Sequence, residues 1–262
     1  PSRQKYKGII TPEVLSHATS RKISDYVLAE ELNVPKHAID WYRRKWKIPS
    51  GRSDINVQIM RERKLTPEEV GLIIGTVLGD AHIGIFDESL GAWLNIQHGA
   101  AQKDYVFHKW QLLQSLCLMK PVLGKVTAGF KPGTLAYKFS TIHHPDLLYL
   151  HHLLYDGRQK VVRKEALEKL TLAGFAWWFF DDGSYSPKQR QYNLSTCQFS
   201  LEEQKMIREW LFRKLGIYTT PVPTKKEEGV TYYSLYFAAR SRDKLSEILR
   251  TFVIPCMEYK ID

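Results

Sequence analysis

The stretch GLIIGTVLGDAHIG, Gly71 to Gly84, sets Gly71, Gly75 and Gly79 at four-residue spacing in an apolar run that meets a lone acid, Asp80. Thr66-Pro67-Glu68-Glu69, just before it, is a strong helix start: threonine caps, proline suits the first helical position, and acids favour the first turn. The pattern predicts an apolar helix ending at Asp80, with Gly75 and Gly79 on one face where another helix backbone can approach. Membrane helices pair by the same spacing, but this run is too short and too acid-tipped to span. A second apolar run, FAWWFFDDGS from Phe175 to Ser184, also ends on acid. Aligning IIGTVLGDA (Ile73 to Ala81) with FAWWFFDDG (Phe175 to Gly183) puts aspartate, Asp80 and Asp182, at the same place in both. Packed side by side, the two helices would bring those acids together at their C-terminal ends. The helix dipole disfavours a carboxylate there, so its appearance twice demands a reason. Neighbouring carboxylates repel, and a hard divalent cation with oxygen ligands is the usual remedy, which makes Mg²⁺ the natural guest. The competing local readings are a terminal-turn acid at Asp80 and an ordinary Asp-Gly turn at Asp182-Gly183.

The segments beyond each run repeat as well. After Asp80 come strand-like AHIGIF and AWLNIQHG, a helix from Lys103 to about Met119, strands GKVTAGF and LAYKFSTI, and a helix from His144 to about Tyr155. After Asp182 come strands around YSPKQRQYNLSTCQF, a helix over Leu201 to Leu215, strands through YTTPVPTKKEEGVTYYSLYFAARS, and a helix from Arg242 to Phe252. Each unit is α-β-β-α-β-β-α, an internal duplication in an α+β chain. The expected organisation is an N-terminal module and linker over 1–65, a first repeat over 66–165 and a second over 166–262.

Formal net charge is +10 with 44% hydrophobic residues, which points to a real core and a polyanionic partner. Residues 1–65 hold 14 Lys+Arg against 7 Asp+Glu, so that quarter carries +7 and the remainder +3. Within it, SRKISDYVLAEELNVPKHAIDWYRRKWKIPSGR reads as two helices joined at Asn33-Val34-Pro35, the first capped by Ser24 and the second ending before Pro49, after a basic leader. In such a helix-turn-helix pattern the second helix enters the major groove; here it carries Lys36, His37, Arg43, Arg44, Lys45 and Lys47. A solvated helical hairpin is the plainer alternative. Residues 50 to 65 read as a polar linker. Three cysteines, Cys117, Cys197 and Cys256, lack paired or metal-ligand spacing, read as buried packing residues and fit a reducing compartment. No run reaches the length of a membrane span, and PSRQKYKGII lacks a secretory apolar core, so an intracellular site, cytoplasm, nucleoid or organelle matrix, is expected.

IGTVLGDAHI and AWWFFDDGS resemble the two motifs of single-chain LAGLIDADG homing endonucleases, and the C-terminal IPCMEYK, Ile254 to Lys260, is similar to their closing segment. The resemblance covers about Thr66 to Asp262. Ala81 stands where the first motif has glycine, Trp177 occupies a normally small interface position, and LAG at Leu172 to Gly174 is a decoy, out of register with the aligned acid. The resemblance implies a monomer whose two repeats form a β saddle on double-stranded DNA and which cleaves both strands with divalent metal, Mn²⁺ substituting for Mg²⁺. It implies metal at the carboxylates of Asp80 and Asp182 and at the backbone carbonyls of Gly79 and Asp181. Lys160 and Lys260, each following the last helix of its repeat, are implied to steady water and developing charge.

The implied DNA-facing residues on the strands and their ends are Gln97, His98, Lys125, Lys131, Lys138, Lys188, Arg190, Gln191, Gln198, Lys225, Lys226, Tyr233, Arg240 and Arg242. Long polar side chains suit base edges and phosphates, while alternate strand residues face the protein interior. Two other functions fit the same scaffold: an intron maturase binding RNA, and a non-cleaving DNA-binding regulator, against which the retained acids speak. No splice-junction residues flank the repeats, which argues against an intein.

Overall fold

Thr11 accepts a hydrogen bond from the Val14 amide and so caps α1 (Pro12–Ser20), in a segment whose composition read only as a basic leader. α2 (Asp25–Glu31) and α3 (Lys36–Trp46) follow, with Asn33 in the left-handed conformation (φ 50°) turning the chain between them. Leu15, Leu28, Val34, Ile39 and Tyr42 close a small core. The expected linker is instead helical over α4 (Ser53–Glu62), where no glycine or proline interrupts the run. Residues 1–63 form one unit of the chain and 64–262 the other. The computed structural model describes residues 6–21, 23, 25–48, 50, 53–126, 133–227 and 229–261. Ser24, Pro49 and Lys131 lie outside the described residues, as does the side chain of Lys225.

In the second unit, α5 (Pro67–Leu78) begins on a reciprocal cap between Thr66 and Glu69, with Pro67 in the first turn. β1 (His82–Ile85), β2 (Ala92–Gly99), α6 (Lys103–Leu113), β3 (Val122–Lys125), β4 (Leu135–Ser140) and α7 (Pro145–Leu154) complete the first repeat. A hairpin of β5 (Tyr155–Asp156) and β6 (Gln159–Lys160), then α8 (Lys164–Lys169), lead to α9 (Leu172–Asp182), capped by Thr171. The second repeat runs β7 (Gly183–Ser186), β8 (Gln191–Leu194), α10 (Leu201–Leu215), β9 (Thr219–Glu227), β10 (Val230–Phe237) and α11 (Arg242–Arg250), closed by a 3-10 turn over Pro255–Lys260. Both sheets are antiparallel, in the orders β1-β2-β4-β3 and β7-β8-β10-β9, so the duplication read from the sequence is a duplication of topology. Along β2, Ala92, Leu94, Ile96 and His98 are buried while Trp93, Asn95 and Gln97 are half-exposed, the alternation of a sheet covered on one face.

α5 and α9 are the buried spine between the repeats. A Cβ on Gly75 would lie 1.9 Å from the carbonyl oxygen of Gly174, and one on Gly174 would lie 2.0 Å from that of Gly71. Gly174 therefore corrects the reading of Leu172 to Gly174 as a decoy: out of register with the acid, it nevertheless supplies the second helix's close approach. Trp177 does not hold the helices apart, because its ring lies beside α6, 5.3 Å from the Lys109 ammonium. Among the described residues no helix is long and apolar enough to cross a membrane. The cysteines are free but half-buried, not buried as expected.

Alanine in a helix interior is favoured over glycine by roughly 0.5–1 kcal/mol. At Gly75 the overlap with Gly174 outweighs that gain, so Gly75→Ala is expected to lower stability by about 1–3 kcal/mol in urea titration. Gly99→Ala, with nothing within 4 Å of the added methyl, is the control.

Candidate functional site

Both helices of the spine deliver their acids to one place. Asp80 follows the last turn of α5, and Asp182 ends α9 with its carbonyl accepting from the Ser195 amide at 3.1 Å. Two lysines arrive symmetrically. Lys160, from the β5–β6 hairpin, donates to the Gly79 carbonyl at 2.5 Å; Lys260, from the closing 3-10 turn, donates to the Asp181 carbonyl at 2.9 Å. Each ammonium is thus fastened to the peptide just before an acid, and the two carbonyls expected to face metal each already accept one lysine. A carbonyl oxygen has a second lone pair, so this leaves room for a further ligand.

Burial, then the charges of Asp80 and Asp181, push the Asp182 carboxyl from 3.8 up to about 7, outweighing Lys160 and Lys260. Burial and Asp181 raise Asp80 as well, although its side chain is half-exposed. Burial lowers both lysines, while the nearby acids oppose that shift. The pair of acids is therefore short of positive charge even with two ammonium groups beside it. Oxygen donors in such a deficit fit a hard divalent cation, with Asp80 and Asp182 as its carboxylates.

Asp181 behaves differently from its neighbour. Its side chain is fully buried and passes Gly79, where a Cβ would lie 2.6 Å from that of Asp181. Lys109 binds it at 2.7 and 2.9 Å, Tyr105 donates at 2.8 Å and Thr76 at 3.0 Å. Burial would raise this carboxyl, but Lys109, His98 and these hydrogen bonds together hold it below its ordinary value. Carboxylate atoms of Asp80 and Asp181 and a ring nitrogen of His98 lie within 4.8 Å of one another. Both Asp181 oxygens are already occupied by donors, so this trio is an ion-paired network and not a free ligand set.

Sequence reasoning missed Lys109, Tyr105 and Thr76. The available sign was the position of Lys109 on the buried stripe of α6, in phase with Tyr105, Val106 and Leu113. It also misplaced His98. This residue shares the phase of Leu94 and Ile96, so it is buried beside Lys109 rather than exposed on a DNA-facing surface. Burial and Lys109 bring its imidazole down to about 4, which leaves it neutral.

Gln97 and Lys138 are cross-strand partners on the half-open face, and Lys125, Lys188, Arg190 and Lys226 are exposed. Gln191 is half-buried, its amide donating to the Tyr192 and Phe237 carbonyls. Tyr233 is half-buried, in phase with Leu235 and Phe237, and Gln198 donates to the Leu78 carbonyl beside the acids. Arg240 is stacked 3.5 Å over Tyr218, and Arg242 starts α11 half-buried. In the N-terminal unit Arg43 is a correction: it is buried, bonded to Asp25 at 2.8 Å and Thr19 at 2.9 Å, because it shares the inner face of α3 with Ile39 and Tyr42. Lys36 pairs with Asp40 at 2.8 Å, while His37, Arg44, Lys45 and Lys47 are exposed.

Residues 70–245 match the model of the LAGLIDADG DNA endonuclease family. The chain belongs to that family. Among relatives, "Protein RecA" of Mycobacterium gastri is 27% identical over 225 residues, 79% of this chain and 51% of the relative, so the chain spans about half that protein's length. DNA endonuclease I-ChuI of Chlamydomonas applanata is 24% identical over 209 residues, 75% of this chain and 95% of the relative. The structure of the homing endonuclease I-WcaI bound to its DNA recognition sequence superposes with a TM-score of 0.69 at 18% identity, covering 84% of this chain and 97% of that one. This LAGLIDADG chain shares its fold.

Asp182 holds its proton to higher pH when folded than when unfolded. Between about pH 4 and 7 the folded state binds more protons, so this group's contribution to stability falls as pH rises through that window. Asp182→Asn is expected to flatten that decline in thermal melts. At pH 8, Mg²⁺ is expected to raise the melting temperature of the parent protein and not that of Asp182→Asn, with chelator reversing the gain.

Proposed function

We propose that this chain is a site-specific double-strand DNA endonuclease dependent on a divalent cation, Mg²⁺ in the first place and Mn²⁺ as substitute. The observation that carries the reading is the charge-deficient pair Asp80 and Asp182 at the ends of two touching helices, each beside a lysine fastened to the preceding carbonyl. A bound divalent cation supplies Lewis acidity toward the phosphate and lowers the pKa of water. The Asp80 and Asp182 carboxylates hold it. Lys160 and Lys260 each spend one N–H on a backbone carbonyl, which fixes the ammonium in place and leaves two donors for a phosphate oxygen or water. Because the lysines belong to different repeats, each serves the scissile phosphate on its own side. Gln97, Lys138 and the exposed basic residues of the strands contact the duplex, and Arg44, Lys45 and Lys47 add phosphate contacts from the N-terminal unit.

Incubation with a randomised duplex library and Mg²⁺, followed by sequencing of the ends, is expected to return one recurrent cut site. Absence of any cut with retained duplex binding favours a regulator; binding of structured intron RNA in its place favours a maturase. On a supercoiled plasmid carrying the recovered site, Asp80→Asn and Asp182→Asn are expected to abolish cleavage while sparing most affinity. Lys160→Met and Lys260→Met are each expected to slow one strand by about two to four orders of magnitude and accumulate nicked circles. Equal slowing of both strands would return the lysines to a shared or merely structural role. Removal of residues 1–62 is expected to weaken binding and make its salt dependence shallower, since those residues hold 12 Lys+Arg against 7 Asp+Glu, a net +5.

A further inference from the structure

The Lys109 ammonium has three hydrogens and no lone pair. Thr76 Oγ1 lies 2.8 Å away, and having given its own hydrogen to Asp181 it accepts from the lysine. The Asp181 carboxylate lies at 2.7 and 2.9 Å. The remaining neighbour is His98 Nε2 at 3.3 Å, an approach that is favourable only if that nitrogen presents a lone pair. A neutral imidazole bare at Nε2 carries its hydrogen on Nδ1. Nδ1 faces Asp80 Oδ2 at 3.5 Å.

We propose that Lys109 is a positioning residue that fixes His98 as the Nδ1–H tautomer and through it orients the Asp80 carboxylate, and that only one of the two acids is served in this way. The inference rests on the reading of Asp80 as a metal ligand. Its one-sidedness follows from register. His82 pairs with Asn95 and Ser184 with Asn193, which makes those asparagines equivalent in the two repeats. Counting on from them, His98 corresponds to Thr196, whose hydroxyl is directed to the Tyr233 carbonyl at 3.4 Å, and Lys109 corresponds to apolar Ile207. Among the described residues of the second repeat the equivalent positions cannot form the relay, and its charge partner Asp181 is itself borrowed from the second repeat's helix.

A donor held on the outer side of a metal-binding carboxylate typically changes affinity or activity 10–100-fold when removed, by order of magnitude. Two measurements on the full chain test the assignment. Histidine-selective ¹⁵N NMR of the metal-free protein is expected to show His98 protonated on Nδ1 alone, and Lys109→Met is expected to shift it toward the Nε2–H form. Manganese binding followed by electron paramagnetic resonance is expected to weaken about 10–100-fold in His98→Phe. His98→Asn, whose amide NH₂ takes the place of Nδ1–H, is expected to bind Mn²⁺ close to the parent value. If Lys109→Met fails to fold, the parent spectrum and the His98 pair still decide the matter. An Nε2–H tautomer in the parent protein, or equal Mn²⁺ affinity in His98→Phe, would overturn the proposal. Unchanged Mn²⁺ affinity in Asp80→Asn would instead overturn the metal reading and leave the tautomer result standing.

Discussion

The contact between two glycine backbones governs this molecule. Where Gly71 and Gly75 of α5 meet Gly174 of α9, no atom beyond the main chain fits, and the helices come within van der Waals contact of each other's carbonyls. Everything at the C-terminal ends depends on that closeness. On top of burial, Asp80 and Asp181 raise the proton affinity of Asp182, and Asp181 raises that of Asp80 across the crossing, because the axes are this near. Glycine here costs helix propensity in exchange for a charge arrangement that no spaced pair of helices could hold.

The buried ionic cluster beside the acids is the second constraint. Lys109 and Asp181 are both fully removed from solvent, and such a pair repays its desolvation only when the remaining hydrogen-bonding capacity is also satisfied. Thr76 and Tyr105 supply that completion, and the Tyr105 and Trp177 rings lie 4.3 and 5.3 Å from the ammonium. The cluster joins three elements, α5, α6 and α9, so its geometry is set by the same packing that sets the acids.

The parts of this arrangement that repeat were legible in the sequence. Asp80 and Asp182 could be aligned, and Lys160 and Lys260 followed from equal placement after the last helix of each unit. The parts that break the symmetry were not. Lys109 was passed over because its partner, Asp181, lies 72 residues away on another helix. His98 was read as an outward strand residue, though its phase with Ala92, Leu94 and Ile96 was already an argument for the interior. Gly174 was dismissed for being out of register with the acid, when close approach requires only that glycines face one another across the crossing. Helix α1 was hidden by composition, yet Thr11-Pro12-Glu13 carries the same opening as Thr66-Pro67-Glu68.

The placement of Asp181 against Gly79 bears on how such a chain can be divided or recombined. At this one position the two repeats are lock and key: one offers empty space, the other fills it with a carboxylate whose counter-charge waits on the opposite side. Two copies of the first repeat would strand a pair of Lys109 ammonium groups without the Asp181 carboxylate that binds them. Two copies of the second would drive two Asp181 side chains into one another without Lys109 to neutralise them. Expressed as separate halves, the repeats would therefore assemble in a single combination, as an obligate heteropair, and the ancestral twofold assembly that the duplication records is closed to this sequence.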